Sequence, residues 1–361
     1  MNLFSSLKIL DLTRVFSGPF ATRHFADFGA EVIKIEPLGG EDSRKFPPLK
    51  NSWSGYFEML NHNKKSLFLN LKNDNELKLF YDLCKSCDVL VENYMPSVKN
   101  KLKINYEHIK QINPNIIYAS INGISDNVDR KYYDVIAQAE SGLISLNGEL
   151  KDMKISTSIV DAFSGMKLAF AISSALYYRE KTGNGQKINV SMKGSAFDLL
   201  EQNLIATSVV GSNPKKVGNM DNAIAPFGLF KTKDGSIVVA VGNDSIWNVL
   251  AGFMQSKNNN FNVSIYKTNA DRLKNIKKLK SEMEGVFKNY KTKVLRKLLN
   301  SLGIPVGAVN KMSDVIHDEE NYKEGLIAKV KHNKVGNIII SKGGIFFSRF
   351  KQEPYVESSE L

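Results

Sequence analysis

Apolar strand-like segments alternate with helical segments up to residue 121, and this pattern limits the possible folds more than any other sequence feature. The predicted strands are KILDL (8–12), EVIKIEP (31–37), SLFLNL (66–71), DVLVE (88–92) and IIYASI (116–121). The predicted helices between them cover 21–28, 75–85 and 106–111. This alternation predicts an α/β fold with a doubly wound parallel sheet, which binds ligands beyond the carboxyl ends of its strands. Those ends are 13–18, 36–40, 92–96 and 122–125.

The first strand–helix–strand unit gives only a weak indication of a nucleotide site. Its turn contains Ser17 and Gly18 but lacks the G-x-G-x-x-G pattern of dinucleotide-binding folds. Glu36 lies where an acidic residue would bind a ribose. An NAD-dependent oxidoreductase is therefore an alternative, which the missing glycines disfavour.

The charge of the chain is basic, but its distribution does not indicate a polyanion-binding protein. Lys and Arg number 49 against 37 Asp and Glu, a net charge of +12 over 361 residues. The densest basic segment, 272–297, alternates Lys with Leu, Ile and Val, as the solvated face of a helix does. We therefore expect neither nucleic acid nor a membrane as a partner. The length favours two domains.

The apolar segments and the cysteines of the chain indicate its cellular compartment. The first ten residues, MNLFSSLKIL, lack the apolar core of a signal peptide, and the longest apolar run, 168–178, is too short to span a bilayer. Cys84 and Cys87 form a lone Cys-x-x-Cys late in a predicted helix, where we expect two structural thiols. Zinc would need two further ligands at suitable spacing, and the sequence offers none. These features predict a cytoplasmic protein without a metal site.

The segment 155–192 holds the candidate reactive group. Asp161 stands just before a helical apolar pattern, Gly183 suits a left-handed helix end, and KINVSM (187–192) alternates as a strand does. An aspartate at this place is a natural N-cap, and a helix N-terminus favours its ionised form. An ionised carboxylate there can cap the helix or act as a nucleophile, and this segment alone does not decide between the two.

The second half of the chain changes in character after a predicted long helix at 195–208. A linker rich in Gly, Asn and Pro is expected at 211–228, followed by a pair of short strands within 231–242. Residues 244–300 are predicted to be mostly helical. The remaining predicted elements are a strand at 304–310, a helix at 312–318 and strands at 334–340 and 343–350.

Seven segments in order carry a family resemblance that covers nearly the whole chain. They are ILDLTRVFSGP, GAEVIKIEP, NHNKKSLFLNLK, DVLVENYMPSV, INPNIIYASINGI, YYDVIAQAESGL and REKTGNGQ. With them the chain resembles the family III CoA-transferases, which include formyl-CoA transferase and carnitine CoA-transferase. The resemblance implies an interlaced homodimer of subunits with a Rossmann-like large domain, here 1–208 and 325–361. The linker and a smaller α+β domain would occupy 209–324.

The resemblance also implies a chemistry. Asp161 matches the family's nucleophile, which forms a mixed anhydride and then an aspartyl-CoA thioester while CoA moves between carboxylic acids. Asp134 matches a supporting acid. The substrates would be an acyl-CoA thioester and a small carboxylic acid, with no permanently bound cofactor. CoA contacts carried over by position are Phe16, Ser17, Leu69, Asn70, Lys72, Asn93, Tyr94, Lys101 and Lys131.

Departures from relatives leave alternatives. A CoA-ester racemase of the same superfamily would use a His-Asp pair where this chain has Tyr133 and Asp134, so a transferase is favoured. A non-catalytic CoA-binding protein is a further alternative. Phe16 replaces a glutamine of formyl-CoA transferase, and GNMDNAIAPFGLF (218–230) replaces its glycine-rich loop. With these two differences, the resemblance does not support a formyl or oxalate substrate.

Overall fold

The structure, a computed structural model, describes residues 2–360. Its strands are β1 (Lys8–Asp11), β2 (Glu31–Glu36), β3 (Leu49–Lys50), β4 (Trp53–Ser54), β5 (Lys65–Phe68), β6 (Val89–Glu92), β7 (Ile117–Asn122), β8 (Gln186–Ser191), β9 (Phe227–Lys231), β10 (Ser236–Ala240), β11 (Val306–Ala308), β12 (Ile327–His332), β13 (Gly336–Ser341) and β14 (Ser359–Glu360).

The α-helices are α1 (Ser17–Asp27), α2 (Gly55–Asn61), α3 (Asp74–Ser86), α4 (Pro96–Lys101), α5 (Tyr106–Ile112), α6 (Asp134–Glu140), α7 (Leu143–Leu146), α8 (Ile159–Thr182), α9 (Met192–Leu199), α10 (Glu201–Val210), α11 (Asp244–Lys257), α12 (Asn269–Lys274), α13 (Ile276–Phe287), α14 (Thr292–Ser301), α15 (Met312–His317) and α16 (Glu319–Lys323). Two 3₁₀ turns lie at Asp42–Lys45 and Val263–Tyr266.

A seven-stranded sheet in the order β14-β5-β2-β1-β6-β7-β8 dominates the fold, and every neighbouring pair in it is parallel. The predicted parallel sheet is confirmed. Its central strands are apolar on both faces, as Val89, Leu90 and Val91 show, because a parallel sheet is covered on both sides. The chain leaves β1 first towards β2 and later returns to β6 on its other side. Ligands bind beside such a reversal of strand order.

The chain divides into two compact units, and the larger one holds the parallel sheet. The first unit comprises Met1–Leu143, Lys154–Leu204 and Glu319–Leu361, and the second comprises Ile144–Met153 and Ile205–Asp318. The sequence-based boundaries lay at 208/209 and 324/325. The second unit holds the antiparallel sheet β11-β10-β9 and the helices α11 to α14. Its core is built on Phe230, Trp247, Tyr266, Leu279 and Phe287.

Two predicted elements of the second half are wrong. The helix expected at 195–208 is two helices, because Leu200 leaves helical torsion angles between α9 and α10 and is itself buried. The strand expected at 343–350 does not form. Gly343 and Gly344 both adopt positive φ angles, 74° and 66°, which end the extended conformation of β13. The partner of β13 is instead β12, an antiparallel strand that the sequence pattern did not reveal.

Helix α8 is longer than the apolar run 168–178 suggested. Over residues 2–360 it is the one helix long and apolar enough to cross a bilayer by length and composition. A buried core helix can have the same length and composition. In this fold α8 packs on α1 and begins at the candidate site.

Candidate active site

A cavity of about 390 Å³ opens at the carboxyl ends of β1, β6 and β7. Its walls come from segments 14–17, 93–96, 121–123 and 130–133 and from the start of α8. Three of the four strand ends predicted to bind ligand therefore line one space, whereas the segment 36–40 does not reach it. The predicted site residues that line it are Phe16, Ser17, Asn93, Tyr94, Lys131 and Asp161.

Four other predicted CoA contacts lie outside the lining of this cavity. Leu69 is buried in the core between the sheet and α3. Asn70, Lys72 and Lys101 are exposed, and the backbone N–H of Asn70 donates to Glu76 Oε2 (2.7 Å). A CoA molecule is larger than the cavity, so these four contacts stay predictions.

Asp161 does not cap its helix. It is the third residue of α8, whose N-cap is Ser158, so the predicted capping role is wrong. The N–H groups of Val160 and Asp161 instead donate to Oδ1 of Asp134, at 2.8 and 3.1 Å. Asp134 thus caps α8 from a neighbouring segment. The Asp161 carboxylate is left to face the cavity.

Asp134 is itself held in place by a buried glutamine. Gln138 Nε2 donates to Asp134 Oδ2 (2.6 Å), and Gln138 Oε1 accepts from the N–H of Ile155 (2.9 Å). The aspartate and glutamine are four residues apart on α6, so both point from one face of that helix. Sequence reasoning missed Gln138, although the spacing within YYDVIAQ carries the signal.

The carboxyl group of Asp161 has a pKa of about 7, against 3.8 for an ordinary aspartate. Burial is the main cause of the rise, and the negative charge of Asp134 adds to it, while a hydrogen bond from the Ser17 side chain opposes it. The helix N-terminus was expected to keep this acid ionised, but the raised pKa leaves it only partly ionised near pH 7. A helix terminus contributes about 0.3 to 1 kcal/mol at exposed sites, which desolvation and a like charge outweigh here.

The turn after β1 brings Ser17 to Asp161. Val15 adopts φ 68°, a costly angle for a β-branched residue, and its N–H donates to Glu41 Oε2 (3.2 Å). Close packing holds the turn on α8. A Cβ on Gly165 would lie 2.5 Å from the carbonyl oxygen of Ser17, and one on Gly18 would lie 2.3 Å from the Thr13 side chain.

A buried ion pair next to this turn stabilises it. Lys64 Nζ lies 2.9 Å from Asp11 Oδ2, and both side chains are fully buried. The same carboxylate accepts hydrogen bonds from Thr22 Oγ1 (2.6 Å) and from the backbone N–H of Thr13 (2.9 Å). Burial alone would raise the pKa of Asp11, but Lys64 and Lys34 together hold it well below its usual range. The network ties the turn to α1 and to the segment before β5.

Tyr56, an aromatic residue that sequence reasoning missed, lies near enough to Asp161 to interact with its charge. Burial and the charges of Asp161, Glu41 and Asp134 raise the pKa of Tyr56, so its hydroxyl lies within electrostatic reach of the carboxylate. The ring packs edge-on against Phe16, with centroids 6.1 Å apart. No sequence pattern marked Tyr56, because its approach depends on the fold of the loop before α2.

Two alternative sites find no support in the side chains that would form them. Glu36 is buried, and both of its oxygens accept from Arg44 at 2.7 Å, so it is not free to bind a ribose. Cys84 and Cys87 are buried, and a hydrogen bond between the two thiols together with burial raises the pKa of Cys84. Within residues 2–360 no group of three His, Cys, Asp or Glu side chains is placed to hold a metal ion.

Comparison with known proteins identifies the family of the chain. The model of "CoA-transferase family III" matches residues 4–358. The chain belongs to CoA-transferase family III. This family III CoA-transferase is 34% identical over 359 residues to the succinyl-CoA:glutarate CoA-transferase of Mus musculus, covering 97% of this chain and 82% of the relative. It is 32% identical over 349 residues to the acetyl-CoA:oxalate CoA-transferase of Acetobacter aceti, covering 95% and 86%.

A solved structure supports the fold of the family III CoA-transferase. The crystal structure of a CAIB/BAIF family protein from Brucella suis superposes with a TM-score of 0.87 at 29% identity. The match covers 100% of this chain and 97% of that one. The predicted α/β architecture and CoA-transferase activity are confirmed.

Proposed function

We propose that this enzyme moves CoA between carboxylic acids through covalent intermediates on Asp161. The observation that carries the proposal is the carboxylate of Asp161, which has a pKa of about 7, faces a cavity at the sheet's carboxyl edge and accepts a hydrogen bond from Ser17. Partial burial removes water from the carboxylate and makes it a stronger base, and a covalent route divides the exchange into easier steps.

The proposed first half-reaction converts the donor thioester into an aspartyl thioester. An ionised Asp161 oxygen attacks the thioester carbonyl, the C–S bond breaks, and CoA leaves as a thiolate from a mixed anhydride. The thiolate then attacks the aspartyl carbonyl of that anhydride and releases the donor acid as a carboxylate. The Ser17 hydroxyl and the backbone N–H groups at the start of α1 are the proposed donors to the developing oxyanion.

The second half-reaction reverses these steps with the acceptor. The acceptor carboxylate attacks the aspartyl-CoA carbonyl and expels the CoA thiolate, and the thiolate attacks the acceptor carbonyl of the new anhydride. The new acyl-CoA leaves, and Asp161 is regenerated as a carboxylate. Asp134 caps α8 throughout and keeps the nucleophile oriented without contacting the reacting atoms.

We propose dicarboxylic acids as one substrate class. The mouse relative is named for succinyl-CoA and glutarate, and the Acetobacter relative for oxalate. The cavity suits such anions because Arg14, Arg130 and Lys131 line it together with the nucleophile.

We also propose a homodimer, as the family resemblance implied. Helix α8 presents large apolar side chains to solvent, with Phe170 75% and Tyr177 69% exposed. An exposed apolar face of this kind is typical of an association surface. Light scattering is expected to give twice the chain mass, and Phe170→Glu is expected to lower it. Leu79→Glu, at an exposed position of α3, is the matched control. A monomeric wild-type protein would refute the dimer.

The nucleophile is tested by trapping. The enzyme is incubated with succinyl-CoA, treated with hydroxylamine and digested, and the peptides are analysed by mass spectrometry. We expect a hydroxamate on Asp161 that is lost in Asp161→Ala and kept in Asp42→Asn, a second aspartate of the cavity. An unmodified Asp161 during turnover would exclude the mechanism. Exchange of the substrate α-proton in deuterated water without any acceptor would favour the racemase instead.

A further inference from the structure

Arg14 carries a guanidinium group with weak partners inside the cavity. Its Nη1 lies 3.9 Å from Asp42 Oδ2, and both side chains are largely exposed, at 46% and 67%. An exposed pair at this distance contributes little. Arg130, which lines the same cavity, is instead committed to Glu140, with Nη2 donating to Oε1 at 2.7 Å. Arg14 is therefore the arginine available to an anionic ligand.

The backbone of Arg14 is fixed, although its head group makes only the long ion pair with Asp42 and a contact 6.0 Å from the centroid of the Tyr94 ring. Its N–H donates to Asn93 Oδ1 (3.0 Å), and its carbonyl oxygen accepts from Asn93 Nδ2 (2.9 Å). The strained Val15 follows and reverses the chain, and Ser17 then contacts the nucleophile. One turn thus carries both the oxyanion donor and the guanidinium into one cavity.

A short dicarboxylic acyl group needs a cation at this place. When its first carboxyl carbon is bonded to CoA or to Asp161, its second carboxylate must lie elsewhere in the same cavity. Asp42 and Asp161 would repel that charge. A planar guanidinium matches a carboxylate with two parallel hydrogen bonds, which a point charge does not provide.

We propose that Arg14 binds the distal carboxylate of a dicarboxylic substrate and so sets the preference for dicarboxylic over monocarboxylic acyl groups. This inference rests on the proposed function. It assigns a specificity role to one side chain of the same site. Asn93 acts as a positioning residue, because it holds the backbone from which the guanidinium extends.

The test compares two thioesters that differ at the far end of the acyl chain. Succinyl-CoA ends in a carboxylate where butyryl-CoA ends in a methyl group, and the CoA part is identical. We expect Arg14→Gln to lower the ratio of kcat/KM for succinyl-CoA to that for butyryl-CoA roughly tenfold to a hundredfold. Arg14→Lys is expected to recover part of the ratio. Arg296→Gln, an exposed arginine of α14, controls for the change in net charge.

The possible outcomes separate this inference from the proposed function. An equal loss with both thioesters would mean that Arg14 binds CoA itself and would overturn the specificity role. An unchanged ratio would overturn it as well. Hydroxylamine trapping at Asp161 with butyryl-CoA tests the nucleophile separately, since that substrate has no distal carboxylate. The melting temperature of each variant checks the fold, and because the Arg14 head group makes only long contacts, we expect little change.

Discussion

The pKa of Asp161 is set by neighbours that pull in opposite directions, so two substitutions are expected to move it in opposite directions. Asp134 raises the pKa through its charge, and Ser17 lowers it through a hydrogen bond. Asp134→Asn removes the charge while an amide oxygen can still cap α8. Ser17→Ala removes the hydrogen bond that stabilises the ionised form. If ionised Asp161 is the nucleophile, the rising limb of kcat/KM against pH moves down in the first variant and up in the second.

The size of each change follows from the geometry. Asp134 Oδ1 lies 3.1 Å from the backbone nitrogen of Asp161, so the carboxylates are close neighbours. Two unit charges about 6 Å apart repel by about 3 kcal/mol at an effective dielectric constant of about 20, or about two pKa units. Because Asp161 is partly open to the cavity, we expect about one unit for Asp134→Asn, from about 7 to about 6. A lost hydrogen bond of about 1 kcal/mol raises the midpoint in Ser17→Ala by somewhat under one unit.

The assay is the initial rate with limiting acyl-CoA between pH 5 and pH 9, in wild type and both variants. The phosphate of CoA titrates near pH 6, so the comparison uses the difference between proteins on one substrate. Asp42→Asn is the matched control, because Asp42 lines the cavity but does not shift the Asp161 pKa. The electrostatic reasoning would be refuted if both variants moved the rising limb of the pH profile in the same direction, or if neither variant moved it. Asp134→Asn also places an amide against the Gln138 amide, so melting temperatures are recorded at each pH.

Three other perturbations test the site's construction. Because the pKa of Asp161 is higher in the folded than in the unfolded state, the stability of the wild-type protein falls as the pH rises from about 4 to about 7. Denaturant titrations should therefore give Asp161→Asn a free energy of unfolding about 2 to 4 kcal/mol above that of wild type at pH 8, and an equal one near pH 4. Lys64→Met leaves the buried Asp11 unpaired and should cost about 3 to 5 kcal/mol, part of which Asp11→Asn recovers in the double variant. Val15→Gly relieves the positive φ angle and should keep the melting temperature while kcat falls; an unchanged kcat would show that the strain has no catalytic role.

The sequence predicted the sheet well because its strands are short, apolar and separated by helices of ordinary length. The ordered set of motifs also predicted Asp161 as a site residue, and the structure has it in the lining of the cavity. The sequence did not predict Gln138 or Tyr56, because their roles depend on contacts between segments far apart in the chain. The prediction that Asp161 stays ionised failed for the same reason. The helix terminus can be predicted from the local sequence. The burial of Asp161 and its proximity to the charge of Asp134 arise only when α6 and α8 come into contact.

The site places energetically unfavourable features on the groups that the proposed chemistry uses. Val15 holds a costly backbone angle, Asp161 is held partly desolvated, and Asp134 places a like charge beside it. Such terms persist only where the surrounding structure is strong enough to enforce them. Here that structure consists of the buried Asp11–Lys64 ion pair next to the turn and the hydrogen bond from Gln138 to Asp134. Neither the pair nor Gln138 lines the cavity. Substitutions in these supports should therefore change the Asp161 pH profile as well as stability, whereas substitutions at exposed positions of α3 should change neither.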